Sequence, residues 1–64
     1  MKSQKSSNMK ATAEDWFSDG LYIGRLGDYD KAISFFLKAI EIDPEYAEAY
    51  SNLGMAYIRQ SNKT

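Results

Sequence analysis

The 64-residue sequence contains no cysteine and no histidine, and only one proline and one tryptophan. Without cysteine there can be no disulfide, and without a His/Cys set there is nothing to hold a structural metal. The same absences remove the usual acid–base residue at neutral pH and the usual nucleophile–base dyads, so neither an enzyme nor a bound cofactor is expected. Long apolar runs are missing too: the longest span a few residues, far short of the ~20 needed to cross a bilayer. The opening Met1 to Lys10 is built from Lys, Ser, Gln and Asn with no apolar h-region, which excludes a secretory signal and makes the cytoplasm the expected location. A core of this size rarely supplies more than ~3–5 kcal/mol without a staple, and association is the staple that remains.

Charge is nearly balanced overall, at −1, but it is unevenly placed. Residues 13–60 carry nine acids against Arg25, Lys31, Lys38 and Arg59, a net −5, which argues against a nucleic-acid partner. Lys2, Lys5 and Lys10 make the start basic. Residues 1–11 have low hydrophobicity and no periodicity, so a disordered basic tail is expected there, the plainer reading beside membrane or RNA contact.

What the chain does have is helical periodicity. From Gly27 to Pro44, apolar residues recur at Tyr29, Ala32, Ile33, Phe36, Ala39 and Ile40, spacings of three and four that share one helical face. Ser34, Lys38 and Glu41 fall opposite. Gly27 breaks the chain, Asp28 offers an N-cap oxygen, and Pro44, which lacks an N–H and disfavours helix in Asp43, closes the stretch. The spacing predicts a helix over 29–42. Upstream, Thr12 and Asp15 have capping-box spacing, with Asp where Glu is more usual, and a first helix is predicted over 13–26. It gathers Ala13, Trp16, Phe17, Gly20, Ile23 and Gly24 on one face. Each glycine inside that helix costs about 1 kcal/mol relative to alanine. Close approach is the physical reason to keep them: the second helix can lay the rings of Phe36 and Tyr29 against the bare backbone. Gly20 and Gly24 also have the spacing of a membrane dimerisation motif, but no membrane-length apolar segment surrounds them.

A third helix is predicted over 45–60, with Ala47, Tyr50, Leu53, Gly54 and Tyr57 on one face. Shifting the sequence by 34 residues superposes Ala13 on Ala47, Glu14 on Glu48, Gly20 on Gly54 and Arg25 on Arg59, with Trp16 on Tyr50 and Leu21 on Met55 as similar pairs. The third helix is the first one repeated. Ser61 and Asn62 fall where Gly27 and Asp28 stood, so the copy fades there and 61–64 reads as a polar end. The expected fold is all-α, a single unit over 12–60 of three antiparallel helices joined by tight turns.

With Trp16, Gly20, Gly27, Tyr29, Ala32, Phe36, Ala39 and Pro44 in one register, residues 13–60 resemble the tetratricopeptide repeat, a helix-turn-helix unit of 34 residues. The chain would hold one and a half such repeats. Asp19 departs from the family's leucine, and Ile23 from its usual aromatic. The resemblance implies a protein–protein interaction module, in which the first helices of successive repeats line a concave groove for a partner's extended or helical peptide. Carried over residue by residue, that groove is Glu14, Phe17, Leu21, Gly24 and Arg25 from one helix and Glu48, Ser51, Met55, Ile58 and Arg59 from the other. Phe17, Leu21, Met55 and Ile58 would form an apolar strip, with Arg25 and Arg59 placed for acidic groups. Members that grip the acidic C-terminal tails of chaperones use Lys and Asn on this face. The matching places here hold Phe17 and Leu21, and Asn52 alone does not rebuild that clamp.

A second reading stays open. Repeats of this kind bury their faces by stacking on neighbours, and the third helix keeps a complete face for a following helix. Tyr50, Leu53 and Tyr57 then need cover, from a longer array or from a second copy of the chain. The alternative is therefore a self-assembling structural element, a homo-oligomer formed by helix stacking or swapping. Asp19 fits an end against which nothing stacks, or an edge where its carboxylate reaches solvent. Asp15 and Asp19, four apart, read as solvated carboxylates. Asp28 and Asp30 resemble the start of a calcium loop, but Ala32 and Ile33 occupy the next ligand positions and the required glycine is missing.

Overall fold

The computed structural model describes residues 11–62. Within them lie three helices, α1 (Ala13–Arg25), α2 (Tyr29–Ile42) and α3 (Ala47–Ser61), and no strand. The chain is all-α. Except for Ala11, the expected basic tail lies outside the described residues, as do residues 63–64 of the polar end.

Each boundary has a local cause. At the start of α1 the Asp15 N–H donates to Thr12 Oγ1 at 3.2 Å and the Thr12 N–H donates to Asp15 Oδ2 at 3.0 Å, a reciprocal pair that satisfies two otherwise orphaned donors. The helix ends at Arg25. There the Gly27 N–H reaches the Gly24 carbonyl at 3.0 Å and the Asp28 N–H reaches that of Ile23 at 3.3 Å. This paired closure needs a left-handed residue, and Gly27 supplies it with φ 91°. Asp28 then caps α2 by accepting the Lys31 N–H at 3.2 Å. The third helix begins at Ala47, later than its periodicity predicts. Pro44 and Glu45 are taken up by a turn that the Tyr46 N–H closes on the Asp43 carbonyl at 3.1 Å, with Asp43 Oδ1 also accepting the Glu45 N–H at 3.1 Å.

Packing follows from size. The helices meet through small residues, with Ala32 and Ala39 of α2 and Ala49 and Ala56 of α3 all buried. Phe36, 3% exposed, is the large side chain of the core and sits with Ile33, Ala32 and Ala56. Phe17, Leu21, Ile23 and Leu53 pack around that cluster. The backbone of α1 lies close against this ring: a Cβ on Gly20 would lie 2.6 Å from Phe36 Cε1, inside any allowed contact. Gly24 faces a smaller neighbour, the Ala32 Cβ at 3.7 Å, so Tyr29 does not share the close approach that the glycine pair implies. Trp16 meets Phe35 edge-on at 5.2 Å, and Lys38 Nζ stands 5.9 Å from the Trp16 ring. The middle helix is thus packed along both neighbours, whereas α1 and α3 barely touch. A furrow remains between them, floored by α2.

Candidate functional site

That furrow holds a cavity of about 240 Å³. Gly20, Gly24, Ala32, Phe36 and Ala56 line it together with the larger apolar side chains of Leu21 and Met55. Arg25 and Arg59, the repeat-related pair, stand along it with Tyr29 and Asn52. Gly20, which lets Phe36 approach, also lines the groove, so one residue of α1 serves core and groove together. Among the described residues the one ion pair is Lys38 with Glu41, at 3.4 Å on the solvent side of α2. Neither groove arginine forms an ion pair with a carboxylate among the described residues. Asn52 is held by its own helix, donating from Nδ2 to the Glu48 carbonyl at 2.8 Å.

The residues singled out by sequence divide between this groove and other places. Leu21, Gly24, Arg25, Met55 and Arg59 line it together. Phe17 does not: its ring lies between Phe36, at 5.8 Å, and Tyr46, at 5.0 Å, and is engaged in holding α1 to the turn before α3. Glu14 and Glu48 are exposed at the first turns of α1 and α3, on either side of Tyr46. The Tyr46 hydroxyl is pushed above its ordinary 10.0, first by partial burial against these rings and then by the Glu14, Glu48 and Asp43 carboxylates. Ser51 and Ile58 are exposed and outside the groove. Of the residues considered for self-association, Tyr50 is 49% and Tyr57 46% exposed, while Leu53 is partly covered within the chain by the Phe36 cluster.

Besides the small and core residues Gly20, Ala32, Phe36 and Ala56, Asn52 and Tyr29 line the groove though sequence reasoning gave them no place in it. Helical spacing groups the groove residues of α3 but does not choose which of its faces meets the groove. Glu48, Asn52, Met55 and Arg59 share one face of α3 at steps of four and three, and the burial of Ala49 and Ala56 turns that face toward α1 in place of the one through Ser51 and Ile58.

An antiparallel helix pair, followed by a helix that repeats the first and an open furrow between the two copies, defines a helical-repeat protein. Residues 25–61 match the TPR repeat family, and the chain belongs to that family. The TPR repeat is a protein–protein interaction unit and not a catalytic one. The chain is 41% identical over 44 residues to an uncharacterised protein of Methanocaldococcus jannaschii, a match covering 69% of this chain and 51% of that protein. It is 34% identical over 56 residues to serine/threonine-protein phosphatase 5 of Homo sapiens, and equally to that of Rattus norvegicus, covering 88% of this chain and 10% of each phosphatase. The chain thus spans about half the length of the archaeal relative and a tenth of the phosphatases. No solved structure gives a significant match.

Proposed function

We propose that the furrow between α1 and α3 binds a short segment of a partner protein whose apolar side chain is flanked by carboxylates. The carrying observation is the pair Arg25 and Arg59, which come from equivalent places in the two copies of the helix and line the furrow with Leu21 and Met55, neither in an ion pair among the described residues. A leucine- or methionine-sized side chain suits a furrow lined by Leu21, Met55, Phe36 and Ala56. Guanidinium groups suit carboxylates because they can donate two parallel hydrogen bonds in a fixed fork. The rest of the chain is acidic, so this local cationic pair also sets where an acidic segment can approach.

The test uses the intact chain against an array of short peptides with a central leucine flanked by Asp or Glu. Replacing both arginines, Arg25→Gln with Arg59→Gln, removes charge-assisted bonds worth ~1.5–3 kcal/mol each, so binding should fall by roughly tenfold or more. It should also weaken as salt rises. Equal binding by the double variant, at unchanged helicity, would overturn the reading.

A further inference from the structure

The furrow has two ends of opposite charge. Glu14, Leu21 and Arg25 on α1 and Glu48, Met55 and Arg59 on α3 form the same triple, acid, apolar and base, at the same steps of seven and four residues. Such steps return to one helical face. Leu21 and Met55 line the furrow together, as do Arg25 and Arg59, so the two triples run side by side in one direction. Both arginines then stand in the last turns and both glutamates in the first. Aromatic rings join the acidic end to the cavity: Phe36 lines it, Phe17 lies 5.8 Å from Phe36, and Tyr46 lies 5.0 Å from Phe17. Burial first, and then the carboxylates of Glu14, Glu48 and Asp43, raise the Tyr46 hydroxyl, which therefore sits in their negative field. First-turn glutamates also offset the helix dipoles, but two N-termini at roughly +0.5 each leave about two negative charges uncompensated. Neither glutamate forms an ion pair among the described residues.

We infer that the segment bound in the furrow is two-signed, with a carboxylate at Arg25 and Arg59, a lysine or arginine at Glu14, Glu48 and the Tyr46 ring, and the apolar side chain between them. This rests on the furrow being the binding site, and it makes the two sides of the apolar residue unequal. The cation gains both carboxylates and the face of an aromatic ring. The spacing follows from the helices: seven residues advance about 10 Å and four about 6 Å. A cavity of about 240 Å³ takes side chains from an extended strand, not a whole helix roughly 10–12 Å across. An extended strand covers those distances in about three and two residues at ~3.3 Å each. The recognised pattern is a cation, two residues, leucine or methionine, one residue and a carboxylate.

The probes are the hexapeptide Lys-Ala-Ser-Leu-Ser-Asp, acetylated and amidated so that its ends are neutral, and the same peptide with Glu in place of Lys, each made in both chain directions. The intact chain should bind the lysine peptide about tenfold more tightly at low salt. Glu14→Gln with Glu48→Gln, which keeps the side-chain shapes, should abolish that preference, and Glu14→Lys with Glu48→Lys should reverse it. Asp19→Lys with Glu41→Lys makes the same change in net charge at exposed positions outside the furrow and should leave the preference in place. Equal binding of both peptides, lost on Arg25→Gln with Arg59→Gln, would overturn two-signed recognition while keeping the furrow as the site. A lysine preference that survives Glu14→Lys with Glu48→Lys, at unchanged helicity, would belong to the chain's overall charge and also overturn the proposal. Binding of neither peptide would overturn it together with the reading of the furrow on which it rests.

Discussion

Three glycines inside helices carry different meanings, and each meaning is a stability prediction. Gly20→Ala places a methyl group into the Phe36 ring, and a ring held in the core cannot swing aside, so a loss of about 1–3 kcal/mol is expected despite alanine's better helix propensity. Gly24→Ala makes an ordinary contact with Ala32 and Gly54→Ala makes none, so each should gain up to about 1 kcal/mol in urea unfolding. A uniform effect at all three positions would contradict this account. Tyr46 is a prediction about pH. Its pKa is raised in the folded chain, so the fold holds that proton more tightly than the unfolded chain does. The stabilisation is fully present below the unfolded value near 10.0 and is lost as pH rises through the higher folded value. Tyr46→Phe should flatten the alkaline fall in stability; an unchanged profile would remove Tyr46 as its cause. The close approach at Gly20 was legible in the sequence because a glycine in a periodic helix demands a reason. The Phe17–Tyr46 contact was not, because it depends on how the Pro44 turn aims Tyr46, which periodicity does not encode.

At the scale of the elements, the caps decide where helices begin and the small residues decide how they meet. Thr12, Gly27 and Asp28 could be read directly, since each acts on backbone groups within a few residues of itself. Asp28→Ala should cost about 1 kcal/mol by leaving the Lys31 N–H without its carboxylate, and Asp28→Asn should retain most of that. Equal losses would mean that the cap hydrogen bond is not the source. The rotation of α3 was not legible. Its groove-facing residues follow from the way Ala49 and Ala56 seat on α2, an interhelical arrangement that a single helix's pattern leaves undetermined. Hence Asn52 takes the place that the repeat register gives to Ser51, and Ile58 turns to the outer side of α3. Across α2 and α3, Gln60 donates to Asp30 and ties the end of α3 back to the start of α2.

For the whole molecule, the core is thin and α2 is its keystone, with Phe36 and Ala32 against Gly20 and Gly24 of α1 and the cluster of Ala32, Ile33 and Phe36 shared with Ala56 of α3. Phe36→Ala should remove about 3–5 kcal/mol, comparable with all the stability a core of this size supplies, and abolish cooperative unfolding. The same central position of α2 holds α1 and α3 apart and so creates the groove, which connects the packing directly to the interaction role of the TPR family. The most direct test of the account is an amide NMR titration of the intact chain with an acidic, leucine-centred peptide selected from the array. The account predicts that the largest shifts fall at Leu21, Gly24, Arg25, Asn52, Met55 and Arg59 and disappear in the double arginine variant. Saturable binding whose shifts fall instead on Tyr50, Gly54 and Ile58, or that persists without the two arginines, would contradict it.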